Sequence, residues 1–298
     1  MPARILFLPT ALFLGLCAFS AAAFALQAPE TPSERTSPDW KANAVSRPSK
    51  AASSPSASPA TTRAIIPGEL ATSPRFTIAI DIGHLPKKGG AISANGVFEY
   101  KFNRRLAREL FERLQTSRSV RPVLINGDGA AISLPKRAEE ASQQRADLFL
   151  AIHHDSVKDS YLKTWTTPDG KSQKYCDDFH GYSIFISQKN AKPLESLAFA
   201  AALGRALLKE GLTPSLHHET QENRLVLDRE KGIYEFDDLI VLKAAKMPAV
   251  LLECGVIVNR EEEAKLNDPA YRNRIIEAIS SAVEGLAVTA QSSPQKKD

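Results

Sequence analysis

The run Asp81-Ile82-Gly83-His84 closes one strand-like segment, Glu99 opens the helical segment after it, and Ala151-Ile152-His153-His154 ends a later strand-like segment. Two imidazoles and a carboxylate, each placed where regular structure meets a loop, are the donor types of a catalytic zinc site that keeps one position open for water. The combination points to a metallohydrolase. Singly, each residue has an ordinary reading. His84 in a Gly-flanked loop reads as a polar loop residue, and Glu99 as a first-turn carboxylate favoured by the helix dipole. His153 and His154 point to opposite faces of a strand end, so at most one easily meets a shared metal.

The elements that must position these residues alternate. Strands are predicted at Phe76 to Ile82, Val120 to Ile125, Leu148 to His153, Tyr182 to Ser187 and Ala249 to Glu253, with helices at Glu99 to Thr116, Leu134 to Arg145, Leu194 to Glu210, near Leu239 to Lys246, and Pro269 to Leu286. Phe102, Leu106, Leu110 and Leu114 recur at four-residue spacing, as do Ile275, Ile279 and Val283, giving each helix an apolar stripe to lay on a sheet. The alternation predicts one α/β domain of three layers, a mostly parallel or mixed central sheet with helices on both faces. In such sheets ligands bind outside the carboxyl ends of the strands, where His84, His153 and Glu253 all fall.

Four runs carry a resemblance: Ile78 to His84, Gly96-Val97-Phe98-Glu99, Ala146 to His153, and Pro248 to Gly255, in an order and spacing kept across nearly the whole domain. With Leu134, Arg137 and Asn259 they resemble the zinc-dependent N-acetylmuramoyl-L-alanine amidases of bacterial cell-wall turnover. The resemblance implies a Zn2+ held by His84, Glu99 and His153, with Glu253 as the catalytic carboxylate. It implies hydrolysis of the amide joining the lactyl group of N-acetylmuramic acid to L-alanine of the peptidoglycan stem peptide. The chemistry is consistent: three protein ligands leave a position for water, and a nearby carboxylate can take its proton and pass it to the leaving amine. Two rival readings stay open, a catalytically inactive peptidoglycan binder or amidase regulator, and a zinc peptidase acting within the stem peptide.

The chain departs from the family's pattern in two places. Leu85-Pro86-Lys87-Lys88 intervenes before Gly89-Gly90, where the family places two glycines and an acidic turn directly after its first His. His154 and Asp155 follow the third ligand, where Ala and Asn are common; His154 is read as a substrate contact, a group supporting the ligands, or a solvated imidazole. The stretch Val157 to Phe179 is insertion-like, with Tyr161, Trp165, Tyr175 and a Pro168-Asp169-Gly170 turn. It is expected to form a cleft wall, a lid or a plain surface hairpin. His217, His218 and Arg224 are expected as solvated loop residues.

Outside this domain, Arg4, an apolar run to Phe24 and the small-residue site around Ala23 and Ala25 have the layout of a cleavable signal over residues 1–25. Residues 26–75 hold eight Pro and nine Ser and few large apolar side chains, which predicts a disordered tether. The catalytic domain is expected over 76–290 and a disordered tail over 291–298. Of the net charge of +4, one unit lies in the signal and two in the tether, so the domain is almost neutral and carries no nucleic-acid footprint. Cys176 and Cys254 survive signal removal and allow one disulfide at most, although Cys254 reads as a small buried hydrophobe. The expected location is periplasmic or secreted, with peptidoglycan as partner, no stable membrane insertion after cleavage, and any protein activator unspecified.

Overall fold

The structure, a computed structural model, describes residues 75–292. The signal segment, the tether up to residue 74 and the tail from residue 293 lie outside the described residues.

The strands are β1 (Phe76–Ile82), β2 (Val120–Ile125), β3 (Leu148–Asp155), β4 (Lys163–Thr166), β5 (Ser172–Tyr175), β6 (Ser183–Ile186), β7 (Leu225–Asp228), β8 (Ile233–Glu235) and β9 (Ala249–Val256). The helices are α1 (Glu99–Gln115), α2 (Leu134–Gln143), α3 (Pro193–Lys209), α4 (Ile240–Ala244), α5 (Arg260–Asn267) and α6 (Pro269–Ser292). Seven strands form one sheet in the order β2-β1-β3-β9-β6-β8-β7, and β4 and β5 form a separate antiparallel pair. Neighbours from β2 to β9 are parallel, β6 is antiparallel to β9, and β7 closes the far edge antiparallel to β8. The sheet is therefore mixed, as the alternation of elements predicts.

Strand alternation sorts the core. Leu148, Leu150 and Ile152 of β3 pack into the larger cluster with the stripes of α1, α3 and α6, while Phe149 and Ala151 join the smaller cluster with Ala138, Ala141, Val241 and Leu242 from α2 and α4. Both faces of β3 are thus covered, which explains its unbroken apolar run. Each fully buried Leu or Ile contributes roughly 1.5–3 kcal/mol against its chain entropy.

Several elements lie outside the sequence-based expectation. The strands β7 and β8 and helix α5 were not predicted, and α6 runs past Leu286 to Ser292. Both β3 and β9 extend beyond their expected ends, which puts His154 and Asp155 on a strand. Cys176 and Cys254 are both buried and both free.

Candidate metal centre

Parallel pairing of β1, β3 and β9 brings three carboxyl ends to one edge of the sheet. His153 and Glu253 are register partners on adjacent strands, so their side chains rise from the same face. His84 follows β1 in a left-handed backbone conformation, φ 64°, sparsely populated for a non-glycine residue. Its backbone is held from beneath: the His84 carbonyl accepts from Arg137 Nη2 at 2.7 Å and from Asn126 Nδ2 at 3.0 Å. Arg137 also donates to Asp81 Oδ1 at 2.9 Å and to the Ile82 carbonyl at 2.6 Å, a buried ion pair that ties α2 to the end of β1. Arg137, singled out in the sequence, is thus a support for His84.

Glu99 is where the two imidazoles meet. Its Oε2 lies 2.9 Å from His84 Nε2 and its Oε1 3.0 Å from His153 Nδ1. Burial alone would raise the Glu99 pKa; hydrogen bonds from His153 and His84 outweigh it and hold the carboxyl well below the usual range. The carboxylate also accepts from Asn103 Nδ2 at 3.0 Å and from the Ala91 backbone N–H at 3.1 Å. Two glycines make room. A Cβ on Gly83 would sit 2.5 Å from His153 Nε2, and one on Gly90, at φ +76°, would collide with the Glu99 carboxylate and the His84 ring.

The residue after His153 turns the other way. His154 is buried, its Nδ1 2.8 Å from Asn103 Oδ1 and its ring against Phe102. Because Asn103 Oδ1 accepts from His154, the Asn103 amide N–H group is aimed at Glu99. Burial lowers the His154 pKa to about 3, so the ring stays neutral. Of the three readings of His154, the fold selects the supporting group, which acts on Glu99 through Asn103.

Glu253 completes the edge. Its Oε2 is buried and makes no hydrogen bond to the described residues. Burial, reinforced by the Asp155 and Glu99 carboxylates and opposed by Arg224, pushes its pKa well above the ordinary carboxylate value. A carboxylate that holds a proton readily and has an open oxygen is suited to proton transfer.

A second cluster corrects the expectation that His217, His218 and Arg224 are solvated. Both histidines are buried, and Arg224 is half-buried with its guanidinium over Phe185 and Phe236. Asp155 Oδ2 lies 2.6 Å from His218 Nε2 and 3.2 Å from His217 Nε2. Two trios, His84 with Glu99 and His153, and Asp155 with His217 and His218, bring their donor atoms within 4.8 Å of one another. Hydrogen-bond logic separates them. Arg224 can only donate, so His218 Nδ1 accepts from it and the His218 proton sits on Nε2. His217 Nε2 faces the Ser156 carbonyl, which can only accept, at 3.2 Å, so its proton also sits on Nε2. Both rings therefore present N–H groups to Asp155, whose carboxyl is held well below its usual pKa because these bonds outweigh burial. That cluster is closed by its own protons and by a neighbouring guanidinium. Among the described residues no lysine or arginine lies against the first trio's donors and no group but Glu99 fixes its ring tautomers, so its two imidazoles, one carboxylate and glycine cradle fit a zinc ion.

The stretch after His153 is the β4–β5 hairpin. Trp165 Nε1 donates to the Ala94 carbonyl at 2.8 Å, which ties the hairpin to the loop between His84 and Glu99. Arg260 lies over both Trp165, at 5.1 Å, and Tyr175, at 4.1 Å, and Tyr161 packs edge-on to Phe179. The aromatic rings are engaged with the protein itself.

Comparison with known proteins bears directly on this edge. The family model described as N-acetylmuramoyl-L-alanine amidase matches residues 78–285, spanning all three strand ends and Glu99. This chain belongs to the N-acetylmuramoyl-L-alanine amidase family. It is 31% identical over 220 residues to the probable N-acetylmuramoyl-L-alanine amidase AmiB of Haemophilus influenzae, covering 67% of this chain and 49% of that protein. It is 26% identical over 218 residues to a putative N-acetylmuramoyl-L-alanine amidase of Buchnera aphidicola, covering 69% of this chain and 94% of the relative. The chain thus spans about half the length of the Haemophilus relative and nearly all of the Buchnera one. Its fold is that of the N-acetylmuramoyl-L-alanine amidase from Clostridium difficile 630, with a TM-score of 0.57 at 23% identity over 74% of this chain and 100% of that one. Among the described residues no helix is long and apolar enough to cross a membrane.

Proposed function

We propose that this chain performs its family's reaction as a zinc-dependent hydrolase, cleaving the amide between the lactyl group of N-acetylmuramic acid and L-alanine in peptidoglycan. The observation that carries the reading is the meeting of His84 and His153 on Glu99, with Glu253 in register beside His153. His84, Glu99 and His153 would hold the ion. Bound there, zinc would supply Lewis acidity, polarising the lactyl carbonyl and making an attacking water more acidic.

The remaining work falls to the protein. Glu253 accepts the proton of the attacking water and returns it to the leaving amine of L-alanine, a role its raised pKa and open Oε2 support. Asn103, itself set by His154, keeps the Glu99 carboxylate in place. Arg137 and Asn126 hold the strained backbone at His84. The signal-like segment supports action outside the cytoplasm, in a periplasm or beyond, with the tether giving reach over a fixed polymer.

Product analysis on purified peptidoglycan tests this. The expected products are intact stem peptides with free L-alanine amino termini and unsubstituted muramic acid. Fragments cut inside the stem peptide would establish a peptidase instead, and binding without cleavage would establish an inactive binder.

A further inference from the structure

A cavity of about 710 Å³ lies against the loop and helix that carry His84 and Glu99. Pro86 stands two residues after His84 and Phe98 directly before Glu99, and both line it. The cavity continues along α1, where Lys101, Arg104, Arg105 and Arg108 line it at i, i+3, i+4 and i+7, one face of the helix. Like charges at that spacing destabilise a helix, so the stripe works against the stability of α1.

The charges are largely uncompensated. The side chains of Lys101 and Arg104 are exposed and make no hydrogen bond or ion pair with the described residues. Arg105 donates to Asn267 Oδ1 at 2.8 Å and Arg108 to the Gly127 carbonyl at 3.0 Å, both neutral acceptors. Of the acids lining the cavity, Glu109 is engaged by Arg272 through bonds of 2.8 and 2.9 Å, which leaves Glu112 and Asp128 against four cations. Exposed Lys87 and Lys88, where the family places an acidic turn, follow Pro86 on the same loop.

A substrate cut at the muramoyl–alanine bond has two branches. The N-acetylated glycan is neutral, whereas the stem peptide beyond L-alanine carries free carboxylates at its glutamate and its end. Charge complementarity decides between them. Resting on the amidase reading, we propose that the cation stripe of α1, with Lys101 and Arg104 at its centre, is the subsite for the stem-peptide carboxylates and selects substrates in which they are free. Phe98, half-exposed in the cavity lining and next to Glu99 in the chain, gives the peptide an apolar surface.

The test uses zinc-loaded protein and two soluble disaccharide–tetrapeptide muropeptides, one with the glutamate α-carboxyl free and one with it amidated. The wild type should prefer the free acid. The Lys101→Ala/Arg104→Ala double variant should lose on the order of fivefold to tenfold in kcat/KM on the free acid, carried by KM, and lose the preference; Lys101→Arg/Arg104→Lys should restore both. A free-acid KM within about twofold of wild type, or an equal rise on both substrates, would overturn the proposal. Binding of both muropeptides to the Glu253→Gln variant, with and without the two alanines, is measured in parallel. Absent turnover of either muropeptide by the wild type sinks the amidase reading, while binding insensitive to both cations sinks this one.

Discussion

Glu263, near the end of the chain's fold, accepts a 2.6 Å hydrogen bond from Ser93 Oγ in the loop between His84 and Glu99. Its other oxygen accepts from Asn95 twice, from the backbone N–H at 2.9 Å and from Nδ2 at 2.8 Å. Ser93 Oγ in turn accepts from the Val97 backbone N–H. A short helix packed under β9 therefore fixes the loop that delivers two of the three proposed ligands. Glu263→Ala should cost about 2–4 kcal/mol, because buried donors left without an acceptor cost about 1–3 kcal/mol each and part of that is regained from water. Thermal unfolding and a zinc competition titration check it; unchanged melting and unchanged zinc affinity would show that the loop holds itself.

Replacing Glu253 by Gln removes the proton acceptor while nearly keeping shape. Turnover should fall on the order of a hundredfold to ten-thousandfold, the usual contribution of general acid–base catalysis, with zinc content and fold retained. Metal analysis and kinetics on the same preparation separate the outcomes. Activity within about threefold of wild type would assign proton transfer to another group.

Metal analysis should find one zinc per chain, since only the Asp155 cluster has an arginine against one imidazole and ring tautomers fixed by groups outside the trio. His84→Ala and His153→Ala should each lose most of it. His217→Ala and His218→Ala should not lower the stoichiometry. A wild-type protein holding two ions, reduced to one in either of the latter variants, would reverse the assignment of the second cluster.

Asn103 joins three groups: it donates to Glu99 and to the Gly83 carbonyl, and accepts from His154. Asn103→Ala should weaken zinc binding about tenfold to hundredfold, the range for partners of metal ligands, with stability also reduced because His154 is left buried and unpaired. Chelator competition measures the first and denaturant titration the second. Loss of stability alone, at unchanged zinc affinity, would make Asn103 a core residue and no more.

What the sequence makes legible here follows from periodicity. The four-residue spacing in α1 and the unbroken apolar run of β3 are each imposed by a face that must be buried, so these elements are read directly, while the ends of β3 and β9 are not. Short elements carry no such repeat. Leu225–Asp228 and Ile233–Glu235 make one edge pair whose residues are only partly buried in β7, and α5 is charged along most of its length. The His217 cluster was misread for a related reason. Loop histidines have no pattern that signals burial, and their place is set by Asp155, more than sixty residues earlier on a strand that runs past its expected end. The extra residues of β3 also explain His154: continued alternation turns it into the interior beside Phe102.

The β4–β5 hairpin offers the last test, and the structure changes what it should show. A cleft wall, a lid and a plain surface hairpin are the three readings its sequence leaves open. Trp165 bonds to Ala94, Tyr175 lies under Arg260, and Asn259 ties the segment's end to α5 through the Asp177 and Phe179 carbonyls while its Oδ1 caps that helix. Arg260 further pairs with Asp177 through two nitrogens. The hairpin is a second brace, beside Glu263, on the loop that runs from His84 to Glu99. Trp165→Phe keeps a ring for Arg260 but loses the donor to Ala94, so it should cost roughly 0.5–1.5 kcal/mol and a modest fraction of turnover. Replacing residues 163–175 by a short Gly-Ser turn should lower both zinc affinity and turnover. Higher activity after the replacement would make the hairpin a self-inhibiting lid, and unchanged zinc affinity with unchanged kinetics on polymeric peptidoglycan would reduce it to surface decoration.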